Sequence, residues 1–310
     1  MDGRRQGRPG LCRALYDPGQ APPGAGLYPA GACVLIASAW FAALAALFIW
    51  WFSTGAILYV VRRAERRGRI GHLQATIMAL PLMGGGIWLF EIGRHFETVG
   101  ATYLSFFAAI LIWGWVELAF LTGVITGPNT SHCHGQAKGW ERFMRAYGTI
   151  AYHEILLVGI LLVMLMTSQH APNPVGLWTF IVLFFARISA KLNLFLGVPK
   201  INVEFLPTPL VHLPSHFRIA KMNWLFPFSI SALTFAAACW MERLFAAEAA
   251  HQTVGFALLA ALTALALLEH WLMVLPLPDE RLWRWMLPAP KEDRAAKPGT
   301  ATPRKRLGEF

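Results

Sequence analysis

A chain of 310 residues, 56% apolar and only 14% charged, is too apolar for a soluble domain of its size. Its 27 Lys and Arg against 17 Asp and Glu leave a balance of +10, which in a soluble protein would suggest nucleic acid. Here the cations fall between long apolar blocks, so they act as orientation signals in a lipid bilayer and exclude a nucleic-acid partner. The four cysteines, Cys12, Cys33, Cys133 and Cys239, form neither a CxxC pair nor a disulfide framework, and they assign no redox compartment.

Residues 1–33 place Arg4, Arg5, Arg8 and Arg13 among Pro and Gly without a compact apolar core ending in small residues, so they read as a disordered tail and not a signal peptide. Seven apolar blocks follow, at 34–61, 71–90, 101–125, 147–167, 176–196, 224–240 and 253–275. Each is long enough to cross a hydrocarbon core of roughly 30 Å as helix, the conformation that satisfies its own backbone in lipid. The expected fold is therefore all-α: a polytopic helix bundle over 34–287 with about seven transmembrane helices and a basic, disordered tail over 288–310.

The loops test this division. The first carries Arg62, Arg63, Arg66, Arg67 and Arg69, the second only Arg94, and the third Lys138, Arg142 and Arg145. The fourth has no Lys or Arg, the fifth has Lys200, Arg218 and Lys221, the sixth has Arg243, and eight follow Leu275. Rich and poor loops alternate, as expected for a bacterial inner-membrane protein with its N-terminus periplasmic and its C-terminus cytoplasmic. The arginines of the N-terminal tail run against that rule. No internal repeat supports an inverted-repeat transporter. The aromatic pairs Trp50 and Trp51, Trp113 and Trp115, and Trp283 and Trp285 read as interfacial or packing residues.

Ionisable groups inside a span usually face the bundle interior and mark function or pairing. At ~1.5 Å per residue from the basic ends of the spans, Glu117 lies ~13 Å deep, His153 and Glu154 ~10 Å, Arg187 ~15 Å, and Lys191, Glu269 and His270 ~9 Å. All seven fall in the same half of the bilayer. Arg187 and Lys191, spaced i,i+4, share a helix face, and Asn193 follows them. Three chemistries fit this set. One is an ion-pair network that fastens the helices. Another is a metal site, for which Glu117, His153, Glu269 and His270 are the candidates. The adjacent pairs His153-Glu154 and Glu269-His270 argue against it, because neighbours on a helix point about 100° apart and di-iron bundles use Glu-x-x-His. The third is a tetrapyrrole site in which the imidazole of His153 or His270 ligates the central metal. Glu91 and His95, at i,i+4 spacing beside Arg94, read as structural, and Ser131-His132-Cys133-His134 as a solvated loop too short for a closed tetrahedral site. No phosphate-binding loop, dinucleotide fingerprint, nucleophile elbow or HExxH occurs.

Longer motifs resemble a known family. Trp50-Trp51-Phe52-Ser53-Thr54-Gly55, Trp113-Gly114-Trp115 with Glu117, Thr126-Gly127-Pro128, and Gly139-Trp140 with Arg142-Phe143 are similar to the PuhE-type photosynthetic complex assembly proteins of purple bacteria. So is the run from Trp178-Thr179-Phe180 through Arg187, Ser189-Ala190-Lys191-Leu192-Asn193 and Phe195-Leu196-Gly197-Val198-Pro199 to Glu204-Phe205-Leu206-Pro207. Leu225-Phe226-Pro227, Leu268-Glu269-His270-Trp271 and Leu275-Pro276-Leu277-Pro278-Asp279 extend the likeness, which covers about 48–287. The resemblance implies a protein tied to building the reaction centre and core antenna or to supplying their bacteriochlorophyll. Reaction-centre or light-harvesting subunits, or pigment-biosynthesis enzymes, are then its expected partners. It implies no established reaction or cofactor, although bacteriochlorophyll or a precursor is the candidate ligand. It also coincides with the cluster of Glu117, His153, Glu154, Arg187, Lys191, Glu269 and His270.

Three functions follow as expectations. The first is a non-enzymatic assembly factor that presents pigment or holds nascent subunits. The second is a membrane enzyme or enzyme subunit in tetrapyrrole modification that uses the Glu/His cluster. The third is a carrier of pigment, lipid or quinone precursor.

Overall fold

The structure, a computed structural model, describes residues 34–133, 138–201 and 206–275. The N-terminal tail, the end of the bundle region, the C-terminal tail, and His134, Glu204, Trp283 and Trp285 lie outside the described residues.

The apolar blocks fold as helices for the reason the bilayer dictates: each segment closes its own backbone hydrogen bonds. They are α1 (Ala39–Glu65), α2 (Gly68–Met78), α3 (Leu80–Gly93), α4 (Val99–Leu121), α5 (Gly139–Gly148), α6 (Ala151–Thr167), α7 (Val175–Leu196), α8 (Leu225–Phe245) and α9 (Ala250–Leu272). Three of their starts carry a polar side chain that caps them. Ser38 Oγ accepts from Phe41 N, Thr98 Oγ1 from Ala101 N, and Asn223 Oδ1 from Leu225 N and Phe226 N. The fold is all-α, and among the described residues the only β pairing is an isolated bridge between Val198 and Ile219.

This is a multi-pass membrane architecture of six or seven spans. Six helical segments are long and apolar enough to cross, with α2 and α3 together forming one of them. The seventh expected span is broken. Helix α5 is amphipathic and meets the apolar, 17-residue α6 at 71°, so the pair counts as one span only if the bend is included. The sequence places that span at 147–167, whereas the helix proper begins at Ala151. The reason is that α5 turns across the end of the bundle: Arg142 donates to the carbonyls of Phe195, at the end of α7, and of His216, while its guanidinium lies 4.2 Å from the Phe195 ring centre.

Helix α4 is the hub, packing on α1, α3, α6, α7 and α9. One apolar core joins Phe106 and Ile110 of α4 to Ala42 and Ala46 of α1 and to Val254, Leu258 and Leu262 of α9. A second joins Ile112 and Val116 to Phe90 of α3, Leu157 of α6, and Phe180 and Phe184 of α7. Small residues set the spacing, since a Cβ on Gly93 would stand 2.4 Å from Ser105 Oγ and one on Gly176 2.8 Å from the Ser105 carbonyl. Beside that contact, Asn173 donates to the Gly93 carbonyl and to Ser105 Oγ. Glu91 accepts from Arg94 and His95, as their spacing suggests, and Arg94 also donates to the Thr167 carbonyl. These groups tie the poorly charged end of the bundle together. At the other, basic end, the 206–217 segment covers the bundle by packing Leu210 and Leu213 onto Phe120.

Candidate functional site

Helix α7 carries the site because its polar residues Arg187, Ser189, Lys191 and Asn193 project around it toward different neighbours. Arg187 Nη2 donates to Glu117 Oε2 of α4 at 2.6 Å, and Lys191 Nζ donates to Glu154 Oε1 of α6 at 2.5 Å. The sequence shows two cations and three carboxylates; only the packing assigns the partners. Both carboxylates sit largely out of solvent, with Glu117 at 7% and Glu154 at 8% exposure. The Phe120 ring lies beside the second pair, with Lys191 Nζ 5.4 Å from its centre.

His153 completes this group. It is fully buried, its ring centre 4.5 Å from that of Phe120 and its Nε2 3.9 Å from Glu117 Oε1. That distance is too long for a hydrogen bond. Neither ring nitrogen of His153 has a partner, and Glu117 Oε1 and Arg187 Nε are likewise unpartnered and buried. Buried polar atoms are nearly always satisfied, so four orphans in one place mark a point where a further polar group can be held. The His153 side chain is fixed by its backbone: its N–H donates to the Thr126 carbonyl, and the 126–129 loop lies so close to the α5–α6 turn that a Cβ on Gly127 would stand 2.1 Å from the Gly148 carbonyl. The motif Thr126-Gly127-Pro128 thus positions His153.

His270 belongs elsewhere. Its Nδ1 donates to the Ala266 carbonyl at 2.8 Å and its Nε2 faces Ser189 Oγ at 2.9 Å, so both ring nitrogens are satisfied. Asn193 extends this neutral network by donating to the Ser189 carbonyl and Ser229 Oγ, and Asn223 donates to the carbonyls of Asn193 and Gly197. Glu269, one residue from His270 and hence turned about 100° away, has the Trp50 side chain as its hydrogen-bond partner and lies within electrostatic reach of Arg187 and Glu117. The expected single cluster is therefore two: a charged group around Glu117 that Glu269 borders, and a neutral one around His270. Glu117, His153, Glu269 and His270 do not converge on one point, and among the described residues no three His, Cys, Asp or Glu side chains form a ligand set for a metal.

The sequence reading missed His212 and His216. They lie in the 3-10 turns Thr208–Leu210 and Leu213–His216 and the step between them, 4% and 2% exposed, where no apolar periodicity flags them. The Ser131-His132-Cys133 loop, with Ser131 and His132 exposed to solvent as expected, also touches this segment: Cys133 N donates to Ser215 Oγ, and His216 Nε2 donates to the Ser131 carbonyl. Burial, then the neighbouring imidazoles of His216 and His132, hold His212 below the ordinary histidine range. Burial does the same for His216, against its bond to Ser131 and with help from Arg142, His132 and Arg145. Unfolding then takes up protons at these sites, so their contribution to stability is complete above the unfolded value of 6.5 and falls as pH drops below it. Melting of the detergent-solubilised protein should occur at lower temperature near about pH 5.5 than near about pH 7.5. His212→Asn should reduce the difference, and an identical pH profile in that variant would remove His212 from the account.

Comparison with known proteins now identifies the family. Residues 36–294 match the family model described as "Protein of unknown function (DUF3623)". The chain belongs to the DUF3623 family. A relative from Rhodobacter capsulatus, described as an uncharacterized 30.4 kDa protein in the puhA 5' region, is 54% identical over 250 residues, which is 81% of this chain and 91% of the relative. No solved structure matches the chain. The family match spans all nine helices, so the charged group, the neutral network and the Ser131-His132-Cys133 loop all lie inside it.

Proposed function

We propose that this chain is a membrane assembly factor of the bacterial photosynthetic apparatus, of the PuhE type, acting where reaction-centre or core-antenna subunits receive bacteriochlorophyll. The observation that carries this reading is the 54% identical relative whose description places it beside puhA, in a photosynthesis gene region. The motif resemblance points the same way, and several of its residues are those that build the site: Thr126-Gly127-Pro128 holds His153, and Arg187 and Lys191 meet Glu117 and Glu154. The imidazole of His153, buried inside the bundle with both ring nitrogens unpartnered, is the group that a pigment held within the bundle would meet.

Deleting the gene from a photosynthetic host should lower the near-infrared absorbance of assembled complexes and leave aerobic growth unchanged. Normal absorbance in the deletion strain would sink the proposal. A second reading, tetrapyrrole modification, is favoured by one feature, the proximity of an imidazole and a carboxylate in His153 and Glu117. The same strain separates the two, because a missing enzyme leaves its pigment precursor accumulated and a missing assembly factor does not. The basic end then faces the cytoplasm by the charge rule. A cysteine placed at Arg66 should escape an impermeant thiol reagent in the periplasm, and labelling there would reverse the orientation.

A further inference from the structure

A cavity of about 580 Å³ opens at the basic end, where α1 stops, α2 starts, α4 ends and the 208–210 turn crosses. Its size falls within the roughly 300–1,000 Å³ of small-molecule sites. It stands at the boundary of the spans, since Glu65 is the last residue of one crossing helix and Gly68 the first of the next. That is the level at which lipid headgroups lie.

The polar lining carries both signs. Helix α2 begins at Gly68, in a left-handed turn with φ 61°, and Arg67 before it supplies no side-chain cap. The first-turn N–H groups of α2 therefore present their partial positive charge uncapped. One turn on, His72 lines the cavity at 5% exposure with its Nδ1 unpartnered. A buried imidazole nitrogen in want of a partner is an independent sign of a missing polar ligand. Arg69, exposed on the same turn, adds a guanidinium. The lining also includes Glu65, whose Oε1 accepts from Thr208 N at 2.8 Å and from Thr208 Oγ1 at 3.3 Å. A purely anionic ligand would meet this carboxylate; a head with a phosphate and an ammonium meets both. Besides Thr122, whose hydroxyl is bonded to Thr76 and to the α4 backbone, the remaining wall is apolar, with Leu73 and Val124 exposed at the surface of the bundle.

We propose that this cavity holds the headgroup of a zwitterionic phospholipid, its phosphate at Arg69, His72 and the start of α2, its primary ammonium at Glu65, and its acyl chains leaving past Leu73. The ligand chemistry is a phosphate monoammonium zwitterion, and its two sources, a bilayer lipid and the soluble phosphoethanolamine, are separable by experiment. The full chain in mild detergent is examined by native mass spectrometry with phosphatidylethanolamine, with phosphatidylglycerol of the same acyl chains, and with phosphoethanolamine. Phosphatidylethanolamine should be retained over phosphatidylglycerol, and Arg69→Gln and His72→Phe should each weaken its retention by about tenfold. Glu65→Gln, nearly isosteric, should keep lipid binding and lose the preference between the two lipids. That variant keeps the test open if His72→Phe fails to fold. Equal retention of the two lipids by the unaltered chain, variants that bind as it does, or phosphoethanolamine bound as tightly as the lipid would each overturn the assignment.

Discussion

Replacing Arg187 with alanine should deplete the protein from the membrane. The guanidinium is the direct partner of Glu117, which sits at 7% exposure on the most enclosed helix of the bundle. Without it, the carboxylate must stay charged in low dielectric or take up a proton, and breaking such a pair costs roughly 3–5 kcal/mol. The lower end applies here, because the Arg187 side chain is 39% exposed and so less dependent on its partner than Glu117 is. About 3 kcal/mol shifts a folding equilibrium by roughly a hundredfold, enough to unfold a marginal protein. Adding Glu117→Gln to Arg187→Ala removes the stranded charge and should restore much of the protein seen on immunoblot. Normal abundance of the single variant would mean that the pair is not holding α4 to α7.

The second large effect separates the two histidines that the sequence leaves equivalent. His153→Phe should leave the protein at normal abundance and abolish its contribution to complex formation, since the imidazole makes no hydrogen bond for the fold to lose and a ring of similar size refills the space beside Phe120. His270→Phe should do the reverse in kind. It strands Ser189 Oγ, at about 1–3 kcal/mol for a buried group left unsatisfied, while the Ala266 carbonyl keeps its helical N–H. Abundance and near-infrared absorbance should therefore fall together in the His270 variant and separately in the His153 variant. A His153 variant that loses protein and absorbance in proportion would make that residue structural.

The helices themselves were legible because a membrane span announces itself locally: a run of apolar residues of sufficient length needs no partner to be recognised. The broken fourth span shows the limit. Residues 147–150 read as the start of an apolar block, but the bend between α5 and α6 depends on Arg142 reaching the end of α7, a contact across about fifty residues of sequence that no local pattern contains. The bond between the Ser131 carbonyl and His216 is hidden from the sequence in the same way, since His216 is far along the chain and sits in an irregular segment.

What the sequence by itself determined is which residues are costly in the membrane and at what depth they stand. Composition and helical rise suffice for that, and they brought Glu117, His153, Glu154, Arg187, Lys191, Glu269 and His270 to one level. Depth, however, is one coordinate. The direction in which each residue faces around its helix, and the neighbour it meets there, come only from how the helices pack. The tertiary structure decided that Arg187 takes Glu117 and Lys191 takes Glu154, that His270 is tied into a neutral network, and that Glu269 bonds to Trp50. It also left His153 buried with both ring nitrogens free of partners. A hydrogen bond forms only within about 3 Å and a narrow angle, so residues that share a depth become a site only where the packing also gives them a common direction.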